Sequence, residues 1–333
     1  MPFVSVPNSF IKISLLLSCL LFSVHSVAKE PLRICAIYPH LKDSYWLSVN
    51  YGMVDEARKN NVQLRVLEAG GYPNHEKQKE QLALCTNWNA DAIILGTVAP
   101  DIYFSDLKSY VGNTPIFATV NKLIVDKETE SLLKGEVGVD WYWMGYYTGE
   151  YLKRKHPLGT GITNVALLPG PKSSGGTKPV IQGLLAAIKD SDVRITETYW
   201  ADNDKELQRN LVQKAIEGDQ IDYIVGSAVA IEAAISELRS AGKTGQIGLI
   251  STYLSHGVYR GLLRNRVEFA PTDKMVKQGR LSIQQAIHYL NGMQYEKIEA
   301  PIIEALTPNS LNPKVIAESL SPSEYRPTFY INN

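Results

Sequence analysis

Leu32-Arg-Ile-Cys-Ala-Ile-Tyr38, followed by Pro39-His-Leu-Lys-Asp-Ser-Tyr-Trp46 and a run to Asn60, is the stretch that decides the fold. The first seven residues form an apolar run of strand length. From Tyr45 to Asn60, Leu47, Tyr51, Val54 and Ala57 recur at helical spacing and put an apolar stripe on one face. The same order of strand then helix repeats downstream. Gln63 to Glu68 reads as a second strand ended by the Gly70-Gly71 break, and His75 to Trp88 as a second helix. Ala92-Ile-Ile-Leu95 and Pro115 to Val120 read as buried strands. Val137-Gly-Val139 leads into a helix for which Asp140 is the N-cap candidate.

A second set begins after Pro157-Leu-Gly-Thr-Gly161. Strands are expected at Asn164 to Leu168, Val193 to Trp200, Ile221 to Val225 and Ile247 to Ser251. Helices are expected at Thr177 to Ile188, Asp204 to Glu217 and Ile231 to Ala241, the last closed by Gly242. Two successive βα halves of similar size predict an α/β protein built as two doubly wound parallel-sheet lobes.

The 333 residues carry 34 Lys and Arg against 34 Asp and Glu. No basic stripe points to nucleic acid and no charged tail points to a membrane surface. The N-terminus reads as a secretory signal: Lys12, a mostly apolar run from Ile13 to Val27, and a small-x-small cleavage site at Ser26-Val27-Ala28. Residues 1–28 are thus assigned to a signal peptide, the mature chain starts at Lys29 in the periplasm, and nothing remains inserted in the membrane. The rival reading is a lipoprotein signal acylated at Cys19, against which the apolar run continues past that residue. Cleavage leaves Cys35 and Cys85. An even pair in an exported chain favours a disulfide, with two buried free thiols as the alternative.

Tyr45-Trp46, Tyr72, Trp141-Tyr142-Trp143 and Tyr253 each fall at or just past the end of a strand-like run. In open α/β sheets such ends converge on one crevice. Ring faces carry negative potential, so a crevice walled by Trp and Tyr suits a methylated cation better than a sugar or a phosphate. Catalytic constellations are missing. Gly159-Thr-Gly161 precedes a strand instead of following one, and Gly170-Pro-Lys-Ser-Ser-Gly-Gly176 lacks the Gly-Lys-Ser/Thr ending of a phosphate loop. The six histidines show no zinc spacing. The expectation is a binding protein that is not an enzyme and holds no cofactor or metal.

Tyr38-Pro-His-Leu-Lys-Asp-Ser-Tyr-Trp-Leu-Ser-Val-Asn-Tyr-Gly-Met53 resembles the ribose- and galactose-type periplasmic binding proteins, with Asp43-Ser-Tyr-Trp46 at the place of their Asn/Asp and two aromatics. Continued through Val66-Leu-Glu-Ala-Gly-Gly-Tyr72, Leu168-Pro-Gly-Pro171, Asp202-Asn-Asp204, Tyr253-Leu-Ser-His256 and Ser319-Leu-Ser-Pro322, the chain is similar to the branch of that family that senses trimethylamine-N-oxide. The resemblance implies a type I periplasmic binding protein with three crossover hinge segments. It places 29–141 plus 272–300 in an N-terminal lobe and 142–271 plus 301–333 in a C-terminal lobe. Hinges are expected near Asp140, Ala270 to Asp273, and Glu299 to Pro301.

By the same resemblance Asp43, Tyr45 and Trp46 are first-loop ligand contacts, Lys178 matches a ligand-binding Arg, and Asp273 matches a Gln at the return crossing. The relatives' Asn-Asp pair is here Ser227-Ala228 and their sugar-clamping Asp is Tyr253, which argues against a sugar because buried hydroxyls need polar partners. The expected ligand box is Tyr45, Trp46, Tyr72, Trp141 and Tyr253 around trimethylamine-N-oxide, with indole N–H, phenol hydroxyl, backbone N–H or Lys178 donating to the oxide. The implied partner is the periplasmic sensor domain of a TorS-like membrane histidine kinase. A receptor feeding an ABC transporter for a sugar, betaine or autoinducer is the alternative.

Overall fold

A computed structural model describes residues 1–3, 30–218 and 220–332. Apart from its first three residues, the expected signal segment lies outside the described residues, as do Cys19 and the cleavage site. The account below concerns the unit Leu32–Asn333.

The first lobe is built on β1 (Arg33–Tyr38), β2 (Gln63–Glu68), β3 (Ala92–Leu95), β4 (Ile116–Thr119) and β5 (Leu133–Val137), all parallel in the order β5-β4-β3-β1-β2. Arg33 registers with Gln63 on one side and Ile34 with Ala92 on the other. Helices α1 (Ser44–Lys59), α2 (His75–Asn87) and α3 (Leu107–Val111) connect these strands. The central strands β1, β3 and β4 are apolar almost throughout because a parallel sheet covered on both faces buries every side chain.

The second lobe repeats the pattern. Its sheet is β6 (Thr163–Gly170), β7 (Val193–Trp200), β8 (Tyr223–Gly226) and β9 (Gly248–Ser251), parallel in the order β7-β6-β8-β9. It carries α4 (Trp141–Lys155), α5 (Thr177–Ile188), α6 (Lys205–Glu217), α7 (Ala228–Ser240) and α8 (His256–Leu263). In β7 inward and outward residues alternate, as an edge strand half open to water requires. Carboxylates and hydroxyls of Asp43, Asp140, Asp204, Ser227 and Ser255 accept first-turn N–H groups and fix where α1, α4, α6, α7 and α8 begin.

The chain crosses between the lobes at residues 138–140, again between β10 (Ala270–Thr272) and α9 (Met275–Leu290), and a third time between β11 (Ile298–Glu299) and β12 (Glu304–Leu306). Helix α9 packs on α1, and β11 extends the first sheet beside β5. Strand β12 pairs antiparallel with β10.

The remaining tail departs from the expected boundaries. The resemblance implies residues 301–333 in the second lobe, but α10 (Pro313–Ser319) packs on α9, and β13 (Tyr330–Ile331) pairs antiparallel with β2 at the far edge of the first sheet. Tyr325 seals this return: its hydroxyl donates to Asn50 Oδ1 at 2.6 Å and its ring meets Tyr51 edge-on. The physical reason is the open N–H and C=O row of β2, which the last strand covers.

Cys35 on β1 and Cys85 on α2 form a disulfide with Cα atoms 5.7 Å apart. Of the two readings left open by the sequence, the structure takes the bridged one, which pins α2 to an inner strand of its sheet.

Candidate ligand site

The site begins with a helix cap. Asp43 Oδ1 accepts the backbone N–H groups of Tyr45 and Trp46, each at 3.1 Å, and so sets the first turn of α1 and the direction of both rings. Trp46 is fully buried, leaning on Tyr38 at 5.5 Å between ring centres. Its indole lies over Gly96, where an added Cβ would stand only 2.5 Å from the ring. A glycine at the end of β3 is therefore what admits the indole.

Tyr45 stands edge-on to Tyr253 at 5.4 Å and 6.1 Å from Trp141, and Trp141 is perpendicular to Tyr253 at 6.2 Å. Tyr45 comes from the first lobe and Tyr253 from the loop after β9 in the second. Trp141 starts α4 immediately after the first crossing, over Gly176, where a Cβ would sit 2.9 Å from the indole. Tyr72 completes the group, its hydroxyl accepting from Trp46 Nε1 at 3.4 Å. These five rings, with Asp43, Asn121, Ser174, Thr177 and Asn203 among the polar neighbours, line one cavity of about 40 Å³.

The electrostatics suit a cation with a polar side. Asp43 places a carboxylate in the wall. Burial, then the Asp273 carboxylate, pushes the Tyr45 phenol well up. Burial likewise raises Tyr253, and lifts Tyr72 to about 12. All three phenols are neutral at physiological pH and keep their protons for hydrogen bonding.

Not every expected residue lines the cavity. Lys178, the matched ligand-binding cation, is exposed on the first turn of α5 and is not part of the wall. The preceding residue, Thr177, faces inward instead, because successive helical residues point about 100° apart. Asp273 is fully buried behind Tyr45 and touches the cavity only through it, accepting from the Tyr45 hydroxyl at 2.5 Å. The indoles are not free donors either. Trp141 Nε1 donates to the Val120 carbonyl at 3.3 Å, and Trp46 Nε1 points at Tyr72.

Sequence reasoning missed Val120, which sits at φ +64° although β-branched, a conformation that costs energy and is held by the surrounding fold. It also missed Ser174, Thr177, Asn203 and Thr252, small polar loop and helix-start residues that line the cavity.

Two lobes of parallel sheet with a ligand-sized cavity between them are the architecture of a known family. The family model for periplasmic binding proteins and the sugar binding domain of the LacI family matches residues 31–326. The chain belongs to the periplasmic binding protein family. Among its relatives is the periplasmic protein TorT of Escherichia coli O157:H7, 44% identical over 307 residues that make up 91% of this chain and 86% of TorT. The TorT of Escherichia coli strain K12 matches to the same extent.

Among solved structures of this periplasmic binding protein family, a TorS sensor domain–TorT complex in the presence of TMAO superposes with a TM-score of 0.85. It shares 69% identity and covers 90% of this chain and 99% of that one. The complex without ligand matches equally. An ABC transporter solute binding protein from Bradyrhizobium sp. BTAi1 with bound bis-tris is 33% identical, with a TM-score of 0.75, covering 90% of each chain.

Proposed function

We propose that the protein is a periplasmic sensor that encloses trimethylamine-N-oxide between its two lobes and signals by docking on the periplasmic sensor domain of a TorS-like membrane histidine kinase. The observation that carries the reading is the convergence of Tyr45, Trp46, Tyr72, Trp141 and Tyr253 on one cavity of about 40 Å³ with the Asp43 carboxylate in its wall. Ring faces and carboxylate oppose the positive nitrogen and its methyl groups. With both indole N–H groups taken, the oxide finds donors among Ser174, Thr177, Asn203 and the Tyr72 hydroxyl. The relation to TorT, and to TorT as it sits in complexes with the TorS sensor domain, supports the ligand class and the partner.

Residues from both lobes line the cavity, so ligand bridges them. Hinge rotation about residues 138–140, 273–274 and 300–303 closes the lobes. Ligand shifts the kinase only to the extent that it binds one lobe arrangement better than the other. The family is one of binding proteins, which supports reading the site as one for binding, with no step of bond making or breaking assigned to it.

Calorimetry of the purified protein, alone and with the kinase sensor domain, against trimethylamine-N-oxide, trimethylamine, betaine and ribose tests the proposal. Binding of trimethylamine-N-oxide and rejection of ribose are expected. Preference for ribose, or no heat with trimethylamine-N-oxide in either setting, discards it. The second reading, a receptor that delivers a small amine to an ABC transporter, is favoured by the relation to the Bradyrhizobium solute binding protein. A permease component that binds the protein where the sensor domain does not would establish that alternative.

A further inference from the structure

Outside the ligand cavity two adjoining hollows form a groove that runs from the mouth between the lobes onto the second lobe. One part, about 410 Å³, lies at the mouth between the lobes, with Lys42, Ser44 and Leu47 of the first lobe facing Lys205, His256 and Arg260 of the second. It runs into a second hollow of about 580 Å³ between α6, α7 and α8. The two share Lys205, Glu232 and Arg260.

The charges in this groove are unevenly satisfied. Its carboxylates are engaged: Glu206 pairs with Arg209 at 2.8 Å, Glu232 accepts from the Ser255 hydroxyl, and Glu237 accepts from Gln213 at 2.9 Å. Four arginines, Arg239, Arg260, Arg264 and Arg266, are exposed and have no carboxylate partner among the described residues. A concave surface with unpaired guanidinium groups selects carboxylates, which they grip bidentately.

The groove is also tied to the ligand cavity. Asp43 and Asn203 belong to the walls of both. His256 N–H donates to Ser44 Oγ at 3.0 Å across the lobe boundary, so the mouth is clasped by a bond that lobe opening would break. The other conspicuous surface, the exposed Trp143 and Tyr147 on α4, does not line the mouth between the lobes.

Resting on the sensor reading above, we propose that an acidic element of the kinase sensor domain inserts into this groove, gripped by Arg260 at the mouth and by Arg239, Arg264 and Arg266 in the hollow beyond it, and reads lobe closure from the width of the mouth. A concave groove whose mouth lies between the lobes admits a protuberance of a folded partner, whereas a flat anionic membrane surface does not reach its floor.

The test measures sensor-domain affinity of the full mature chain and of two double variants, Arg260→Glu with Arg264→Glu, and Arg239→Glu with Arg266→Glu. Circular dichroism and trimethylamine-N-oxide binding by the isolated chain serve as controls for folding. At least about a tenfold loss of sensor-domain affinity in both variants, with a wild-type affinity that falls as salt rises, is expected. Wild-type-like affinity in both overturns the inference and leaves the sensor reading standing. So does loss confined to Trp143→Ala with Tyr147→Ala. Binding of wild type to anionic phosphatidylglycerol vesicles that the variants lose, with sensor-domain affinity intact, makes the groove a membrane contact and also overturns it. No binding of wild type to the sensor domain removes both the inference and the reading beneath it.

Discussion

The hydroxyl of Tyr45 donates to Oδ2 of Asp273 over 2.5 Å, with both side chains buried. One partner begins α1 of the first lobe, and the other occupies the second crossing between lobes. Gln278 Nε2 adds a bond to the same oxygen at 2.8 Å, and Oδ1 has no partner. A ring of the ligand box is thus wired to a hinge. Tyr45→Phe keeps the ring and removes the bond, leaving a buried carboxylate underserved. A loss of about 1–3 kcal/mol in urea unfolding is expected, with a smaller drop in ligand affinity than ring removal gives. Unchanged stability would mean that the pair contributes nothing.

Burial raises the Asp273 carboxyl above its ordinary value, with bonds from Tyr45 and Gln278 opposing the shift. A raised folded-state pKa means the folded protein holds this proton more tightly than the unfolded chain. The associated stability is fully present below the unfolded carboxylate pKa and is lost as pH rises through the folded one. Asp273→Asn removes this dependence. The stability of the variant relative to wild type is expected to improve as pH rises from about 4 to about 8, which paired urea titrations across that range will show. A constant difference would refute the argument.

Trp141 is the more accessible of the two indoles, so its removal tests the box with less damage to the core than Trp46→Ala, which costs about 3–5 kcal/mol of stability. Trp141→Ala is expected to weaken trimethylamine-N-oxide binding at least about tenfold, a loss of about 1.4 kcal/mol or more. Retained affinity by calorimetry, with an intact circular dichroism spectrum, would remove this ring from the box.

Gly96→Ala places a methyl against the Trp46 indole from the end of β3. The ring must move into the cavity. The expected result is ligand affinity reduced at least about tenfold together with a stability loss of about 1–3 kcal/mol. Gly112→Ala is a poor control, since its positive φ strains any side chain. Lys178→Ala is a better one, and it should bind like wild type.

The Cys35–Cys85 bridge joins residues 50 apart in sequence. Closing a loop of that length restricts the unfolded chain by about 4 kcal/mol. Cys35→Ser with Cys85→Ser, or reduction, is expected to lower the melting temperature by several degrees, and calorimetric scans with and without reductant measure it.

How much of this was legible in the sequence follows from the length of each signal. The βα alternation was readable because β1, β3 and β6 are continuous apolar runs and α1 has an unbroken apolar stripe. The five rings were readable because bulky aromatics at strand ends stand out. Strands β10 to β13 have two or three residues each, too few for any period, so the return of the tail to the first sheet was hidden. Ser174, Asn203 and Thr252 look like any turn residues until the lobes bring them together. Lys178 lies one position from the wall, since Thr177 beside it holds the inward direction. That the Trp141 N–H is already engaged was not legible, because Val120, in a strained backbone state no composition announces, presents its carbonyl to it.

Strand β13 ties distant parts of the chain together. The edge of β2 is completed by residues 330–331, nearly 270 positions downstream. So long a loop makes this pairing entropically costly to close, and it is compensated only once the rest of the first lobe is in place. Removal of residues 329–331 would leave the N–H and C=O row of β2 open as a template for another strand.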